Sequence, residues 1–253
     1  MHESGRKTMS LIKRRNFITA LASGVLGFAV RGPAEGRQSE SPTGEVESPV
    51  PRIEKTNPLG KTGLKVSDVS CGAISLFEGN VLRYAYECGV NYFDTAESYL
   101  RMKGEAYVGQ ALKEVRDKVI ITTKHGYDFR QKIEKETVIR RMEESLKRLR
   151  SDYVDIAMVH GLNDLSSLLN NQEILSAYEQ LKKEGKVRFT GFSTHDAKLT
   201  LKQALDSDFA QVVLFIYNHM EGKEIEPLVK AVREKGIGTV AMKIFAGGMQ
   251  GNL

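Results

Sequence analysis

The chain has 253 residues, 41% of them apolar and 27% charged, a composition that excludes a disordered or membrane-embedded protein and leaves a globular one. Its formal charge of +5 sits entirely in residues 1–37, which hold seven basic side chains and two acids; the other 216 residues carry thirty of each sign and present no electrostatic footprint for nucleic acid. Two cysteines, Cys71 and Cys88, are too few for a disulfide scaffold and lack metal-ligand spacing, and no apolar run approaches the roughly 20 residues that span a bilayer.

The amino-terminal segment opens its predicted elements with Lys13-Arg14-Arg15-Asn16-Phe17, followed by a short, Ala/Gly-rich and moderately apolar stretch to Val30. The arginine pair with Phe17 two residues on resembles a twin-arginine export signal; the alternative is a surface amphipathic helix. On the first reading residues 1–37 engage the twin-arginine export machinery and send the protein to the periplasm or cell envelope, and an unused leader leaves it in the cytoplasm. That route carries folded proteins, so the leader also implies a body that acquires a cofactor before export. Residues 38–56 contain three prolines and no aromatic side chain, which predicts an extended linker. The folded domain is expected over 57–253.

Within that domain short β-rich runs alternate with amphipathic segments. Pro58 to Val66 contains two glycines suited to a hairpin turn. Strands are then predicted at 69–73, 90–94, 118–123, 153–159, 187–192, 211–217 and 237–242. Helices are predicted near 79–88, 104–114, 135–149, 171–184, 196–206 and 223–235. In 135–149 the apolar residues Val138, Met142, Leu146 and Leu149 recur every three or four positions and define one buried face. Gly89, Gly185 and Gly236 each follow a helical segment, where a left-handed cap favours glycine. Repeated strand–helix units predict an α/β fold with a parallel sheet, of the (β/α)8 TIM-barrel type, in which about seven of eight units are visible and the eighth is expected to be lacking after Leu253.

In such barrels the carboxyl ends of the strands converge on one mouth. Three apolar runs end there in an ionisable residue: 90–93 in Asp94, 119–123 in Lys124 and 154–159 in His160, with Tyr99 in the loop after Asp94. Singly, each has an ordinary structural explanation as a cap, a packed ring, a surface cation or a core histidine. Jointly they form a proton-transfer site for carbonyl reduction. A phenol with an ordinary pKa near 10 is a poor donor unless a cation stabilises its phenolate. Lys124 supplies the cation, Asp94 orients it, and His160 hydrogen-bonds the carbonyl oxygen.

The segments Leu59 to Ser67, Gly89 to Tyr99, Thr122-Thr123-Lys124, Ser145 to Asp155 with His160, and Gly185 to Ser193 resemble the aldo-keto reductase family, over a stretch running from about residue 57 to the end. The resemblance implies reduction of aldehydes or ketones to alcohols, with Tyr99 as proton donor, Lys124 and Asp94 as its tuning pair and His160 as the substrate-orienting residue. It also implies a small carbonyl substrate and a nicotinamide cofactor, NADP(H) more often than NAD(H), held by Ser193, Thr194, Met242 and Lys243. Thr194 and Leu214 depart from the family's usual asparagine and glutamine, and Met242-Lys243 matches a branch that is often exported. An inactive remnant or binding protein with the reductase architecture is the alternative, and a barrel enzyme acting on a phosphorylated ligand a weaker third. The cysteines are expected to be buried free thiols.

Overall fold

A computed structural model describes residues 52–76, 78–220 and 222–245, so the leader at 1–37, most of the linker at 38–56 and residues 246–253 lie outside the described residues. A short antiparallel hairpin of β1 (Thr56–Pro58) and β2 (Lys65–Ser67) precedes the main sheet. Seven strands follow: β3 (Cys71–Gly72), β4 (Tyr92–Asp94), β5 (Ile120–His125), β6 (Val154–Val159), β7 (Val187–Thr194), β8 (Val212–Ile216) and β9 (Gly238–Met242). They lie in chain order, each pairing in parallel with the next. The expected hairpin and all seven predicted strands are present, although β3 and β4 are shorter than expected. The fold is α/β, a curled parallel sheet of the (β/α)8 type with seven strand units among the described residues.

Helices connect the strands: α1 (Gly79–Glu87), α2 (Gly104–Leu112), α3 (Lys135–Leu149), the short α4 (Ser166–Leu169), α5 (Gln172–Lys183), α6 (Ala197–Ala204) and α7 (Gly222–Lys235). Only α4 and a 3-10 segment at Lys113–Lys118 have no separate counterpart among the predicted helices. On α3 the residues Val138, Met142, Leu146 and Leu149 are buried as their spacing predicts. The glycines expected to cap helices, Gly89, Gly185 and Gly236, have φ of +96°, +72° and +92°. Helix α3 instead ends in Arg150 at φ +52°, a left-handed cap that composition did not announce. Asn171 and Asp196 begin α5 and α6 by accepting the backbone N–H of Ile174 and Leu199.

Two apolar layers flank the sheet. The larger lies under the helices and joins Phe93, Ile121, Phe192 and Val213 to Leu82, Val108, Met142 and Leu201. The smaller lines the concave face and contains Tyr92, Ile120, Ile156, Met158, Val212 and Leu214, plugged at the hairpin end by Leu59 and Leu64. Residues 156 and 158 thus face inward and 157 and 159 outward, the period of two that a strand imposes. Both cysteines are free thiols, Cys88 buried and Cys71 half-buried.

The amino ends of β5 and β6 are tied by Asp155, whose side chain is 1% exposed. It accepts the Ile121 N–H at 3.0 Å and meets Arg188 at 2.6 Å and Arg116 at 2.9 Å. Arg116 also donates to the carbonyls of Val119 and Tyr153 and stacks on the Tyr153 ring. Removing one member of such a buried set leaves the others unsatisfied, which costs on the order of 3 kcal/mol. Asp155→Ala is therefore expected to lower the urea midpoint markedly, while Asp128→Ala, at an exposed ion pair with Arg130, leaves it nearly unchanged.

Candidate active site

Strand parity decides which side chains reach the mouth. On β5, Thr122 and Lys124 turn to the concave side, where Thr122 Oγ1 donates to Tyr92 Oη at 2.8 Å. Thr123 and His125 turn to the helices, where they meet Glu105 on α2 and Ser145 on α3. Asp94 ends β4 and His160 follows β6 in the inward phase, and both line one cleft with Tyr99 and Lys124. The cleft has a volume of about 1250 Å³.

Lys124 is 1% exposed, and its ammonium is fully committed: Nζ donates to Asp94 Oδ1 at 2.6 Å, Asp94 Oδ2 at 2.7 Å and the Thr95 carbonyl at 2.6 Å. Burial pushes the Asp94 carboxyl up and the Lys124 ammonium down, each toward neutrality, and their ion pair opposes both shifts. The same Nζ lies 4.8 Å from the centroid of the Tyr99 ring. The His160 ring meets Tyr99 edge-on at 5.7 Å. Burial, and then the charge of Asp94, raise the Tyr99 phenol above its ordinary value. At neutral pH Tyr99 is therefore a protonated phenol packed between a cation and an imidazole.

The loop that carries Tyr99 is unusual. Leu100, Arg101 and Met102 have φ of 53°, 54° and 68°, three consecutive left-handed residues without a glycine among them. Each costs roughly 1–2 kcal/mol relative to a right-handed conformation. Such a run persists only where its surroundings over-determine it.

Of the residues expected to hold a cofactor, Ser193, Met242 and Lys243 line the cleft. Ser193 Oγ accepts the Gly161 N–H at 3.0 Å, which leaves its own proton to donate. Thr194, the next residue on β7, is fully buried on the opposite side; its hydroxyl accepts the Asp196 N–H at 2.9 Å and a bond from Thr200 at 3.1 Å. Its side chain belongs to the start of α6, away from the cleft.

A family model described as the aldo/keto reductase family matches residues 77–251. The chain belongs to that family. It is 30% identical over 214 residues to L-galactose dehydrogenase of Arabidopsis thaliana, covering 76% of this chain and 65% of the relative. It is 27% identical to the NADH-specific methylglyoxal reductase of Escherichia coli, covering 72% and 65%. Among solved structures, the holo form of an aldo-keto reductase from Bacillus halodurans superposes with a TM-score of 0.60 at 29% identity, covering 74% of this chain and 65% of that one. The chain spans between 45% and 65% of the length of three curated relatives it matches.

Two features of this aldo/keto reductase chain escaped sequence reasoning. His195, directly after β7, lines the cleft, and its charge helps lower the His160 pKa; its place one residue beyond a strand end was the available signal. The pairing of Glu97 with Arg141, 44 positions apart, had none. Among the described residues no cluster of three or more metal-ligating side chains exists, and no helix is long and apolar enough to cross a membrane.

Both histidines near Lys124 are held neutral. Burial lowers His160 to about 4, assisted by the charges of Lys124 and His195. Burial lowers His125 to about 3. An unfolded chain binds these protons near pH 6.5, so the folded state holds fewer protons between 6.5 and those values. The stability they contribute is complete above about pH 6.5 and falls as pH drops toward 4 and then 3. Urea titrations from pH 7 to 5, above most carboxylate titration, are expected to show a falling midpoint, with a shallower fall in His125→Gln.

Proposed function

We propose that the protein reduces aldehydes or ketones to alcohols with a reduced nicotinamide nucleotide, Tyr99 donating the proton. One observation carries this reading: Lys124 Nζ, fixed by both oxygens of Asp94, lies 4.8 Å from the Tyr99 ring centroid, and His160 meets the same ring at 5.7 Å. When bound, the nicotinamide supplies the hydride. The chain's own residues supply the rest. Tyr99 transfers its phenolic proton to the carbonyl oxygen as the alcohol forms. Lys124 offsets the phenolate charge left behind, which matters because burial and Asp94 both oppose that charge. His160, neutral at physiological pH with a pKa near 4, has an N–H to donate to the carbonyl oxygen and does not compete as an acid.

The cleft fits a nicotinamide. Ser193 has a hydroxyl proton free for a carboxamide carbonyl, Met242 presents a half-buried thioether suited to packing on a ring, and Lys243 stands exposed at the rim. The Thr194 side chain takes no part in this arrangement. NADP(H) is the proposed cofactor, with NAD(H) the alternative, and a small carbonyl compound the substrate. The proposed destination is the periplasm or cell envelope, supported by the Arg14-Arg15-Phe17 pattern and its following Ala/Gly-rich stretch.

Turnover of a generic aldehyde by the full chain, followed at 340 nm, tests the reading. Tyr99→Phe is expected to lose about 10²- to 10⁴-fold in kcat, the usual share of a general acid, while NADPH fluorescence still reports binding. Turnover unaffected by that substitution would remove Tyr99 from its role. A folded protein that binds no nicotinamide nucleotide would point instead to a binding protein with the reductase architecture.

A further inference from the structure

Arg141, on the second turn of α3, touches neither the cleft nor any of the four proposed catalytic residues, yet it is the most heavily engaged cation near the mouth. Its guanidinium grips the Glu97 carboxylate from two sides: Nε lies 3.3 Å from Oε1 and 3.2 Å from Oε2, and Nη2 donates to Oε2. Nη1 donates to the Gly126 carbonyl at 3.0 Å, and the guanidinium lies 4.8 Å over the Tyr127 ring. The two side chains are 22% and 13% exposed. An exposed pair of long side chains contributes little. This one is screened from water and multiply hydrogen-bonded, and although burial works against the Glu97 charge, Arg141 holds its carboxyl below the ordinary range.

The location of Glu97 gives the pair its meaning. It lies midway between Asp94 and Tyr99, and its own N–H donates to the Lys124 carbonyl at 3.1 Å. Arg141 ties its side chain to Gly126, so the loop is fastened to the segment bearing Lys124 at two points. On the far side of Tyr99 come the three left-handed residues Leu100, Arg101 and Met102, which favour relaxation to another conformation. Gly104 closes the turn, donating to the Tyr99 carbonyl at 3.1 Å. A Cβ at Gly104 would stand 3.0 Å from that of Tyr99, so the turn is already tight. With strain on one side, the tether on the other fixes where the phenol points.

We propose that Arg141, acting through Glu97, is a positioning residue that holds Tyr99 against Lys124 and His160. The proposal rests on the reading of Tyr99 as proton donor. A displacement of about 1 Å in a reacting group is enough to cost up to about 100-fold in rate. Glu97→Gln, which keeps the shape and removes the charge, is therefore expected to lower kcat roughly 10- to 100-fold. NADPH affinity should change little, while the melting temperature should fall somewhat, because Arg141 keeps its charge without its partner. The solvent deuterium isotope effect on kcat should rise as proton transfer becomes limiting. Arg141→Met is expected to behave alike, Arg141→Lys to recover part of the rate, and the double variant to be no worse than either single one. In the free protein, hydrogen exchange of the peptide spanning 95–104 should quicken about tenfold in Glu97→Gln while the strands stay protected, a readout independent of turnover.

The possible failures are separable. Unchanged kcat and unchanged exchange in Glu97→Gln, with Tyr99→Phe inactive, would overturn the positioning role alone. A joint fall of kcat and NADPH affinity would also overturn it, leaving the pair a structural tie. Turnover surviving in Tyr99→Phe would remove the proton-donor reading and the positioning role with it.

Discussion

The constraint from which the site follows is the alternation of side chains along a parallel strand covered on both faces. One phase of each strand must satisfy the helices and the other the interior of the curl, and adjacent residues never share a destination. Asp94, Lys124 and His160 lie in the inward phase of three consecutive strands or just beyond it, so parallel pairing alone brings them together. The outward neighbours do different work. Thr123 and His125 face α2 and α3, and Thr194 faces α6. Ser193 and Thr194 are one residue apart in sequence and on opposite sides of a wall in space.

That alternation explains both what the sequence disclosed and what it withheld. Strand positions, helix faces and glycine caps were legible because they depend on local period and on the backbone needs of single residues. The polar endings of β4, β5 and β6 were legible as a cluster because a parallel sheet aligns them. Thr194 matches the cofactor segment by position, a signal that carries no side-chain direction; the strand turns its hydroxyl away from the cleft, where it accepts the Asp196 N–H just before α6. The link between Glu97 and Arg141 had no local signature, because it joins a loop to a helix 44 residues later and depends on how closely α3 packs beside β5. The left-handed conformation of Arg150 and of Leu100 to Met102 was equally hidden, since none of these residues is glycine or asparagine.

The energetics of the mouth differ from those of the rest of the fold. Elsewhere, apart from the Asp155 set at the amino ends of β5 and β6, the layers are filled mainly by aliphatic and aromatic side chains, whose burial is favourable wherever it occurs. Between residues 94 and 125 the chain instead buries Glu105 and Lys124 completely and Asp94 and Glu97 largely. A buried charge is tolerable only when paired and hydrogen-bonded. Each of these is: Asp94 with Lys124, Glu97 with Arg141, and Glu105 with Arg148 and Thr123. Two of the three pairs bind the segment after β4 or its helix to α3, so the outer layer is fastened by charge where the inner layer needs accuracy.

This arrangement accounts for a loop that breaks local rules. A run of left-handed residues and a set of desolvated charges both raise the free energy of the folded state, and neither is needed to close a strand–helix connection of this kind. Their coincidence around Tyr99 is intelligible if the loop is shaped for its phenol and not for its own stability. On the proposed reading the phenol stays protonated until a carbonyl arrives, which burial and Asp94 favour, and then meets a cation that can accept a neighbouring negative charge without moving. Lys124 meets that second requirement because all three of its donors are already fixed on Asp94 and Thr95. Its position is therefore set in the free protein, and on the proposed reading the Glu97–Arg141 pair does the same for the direction of Tyr99.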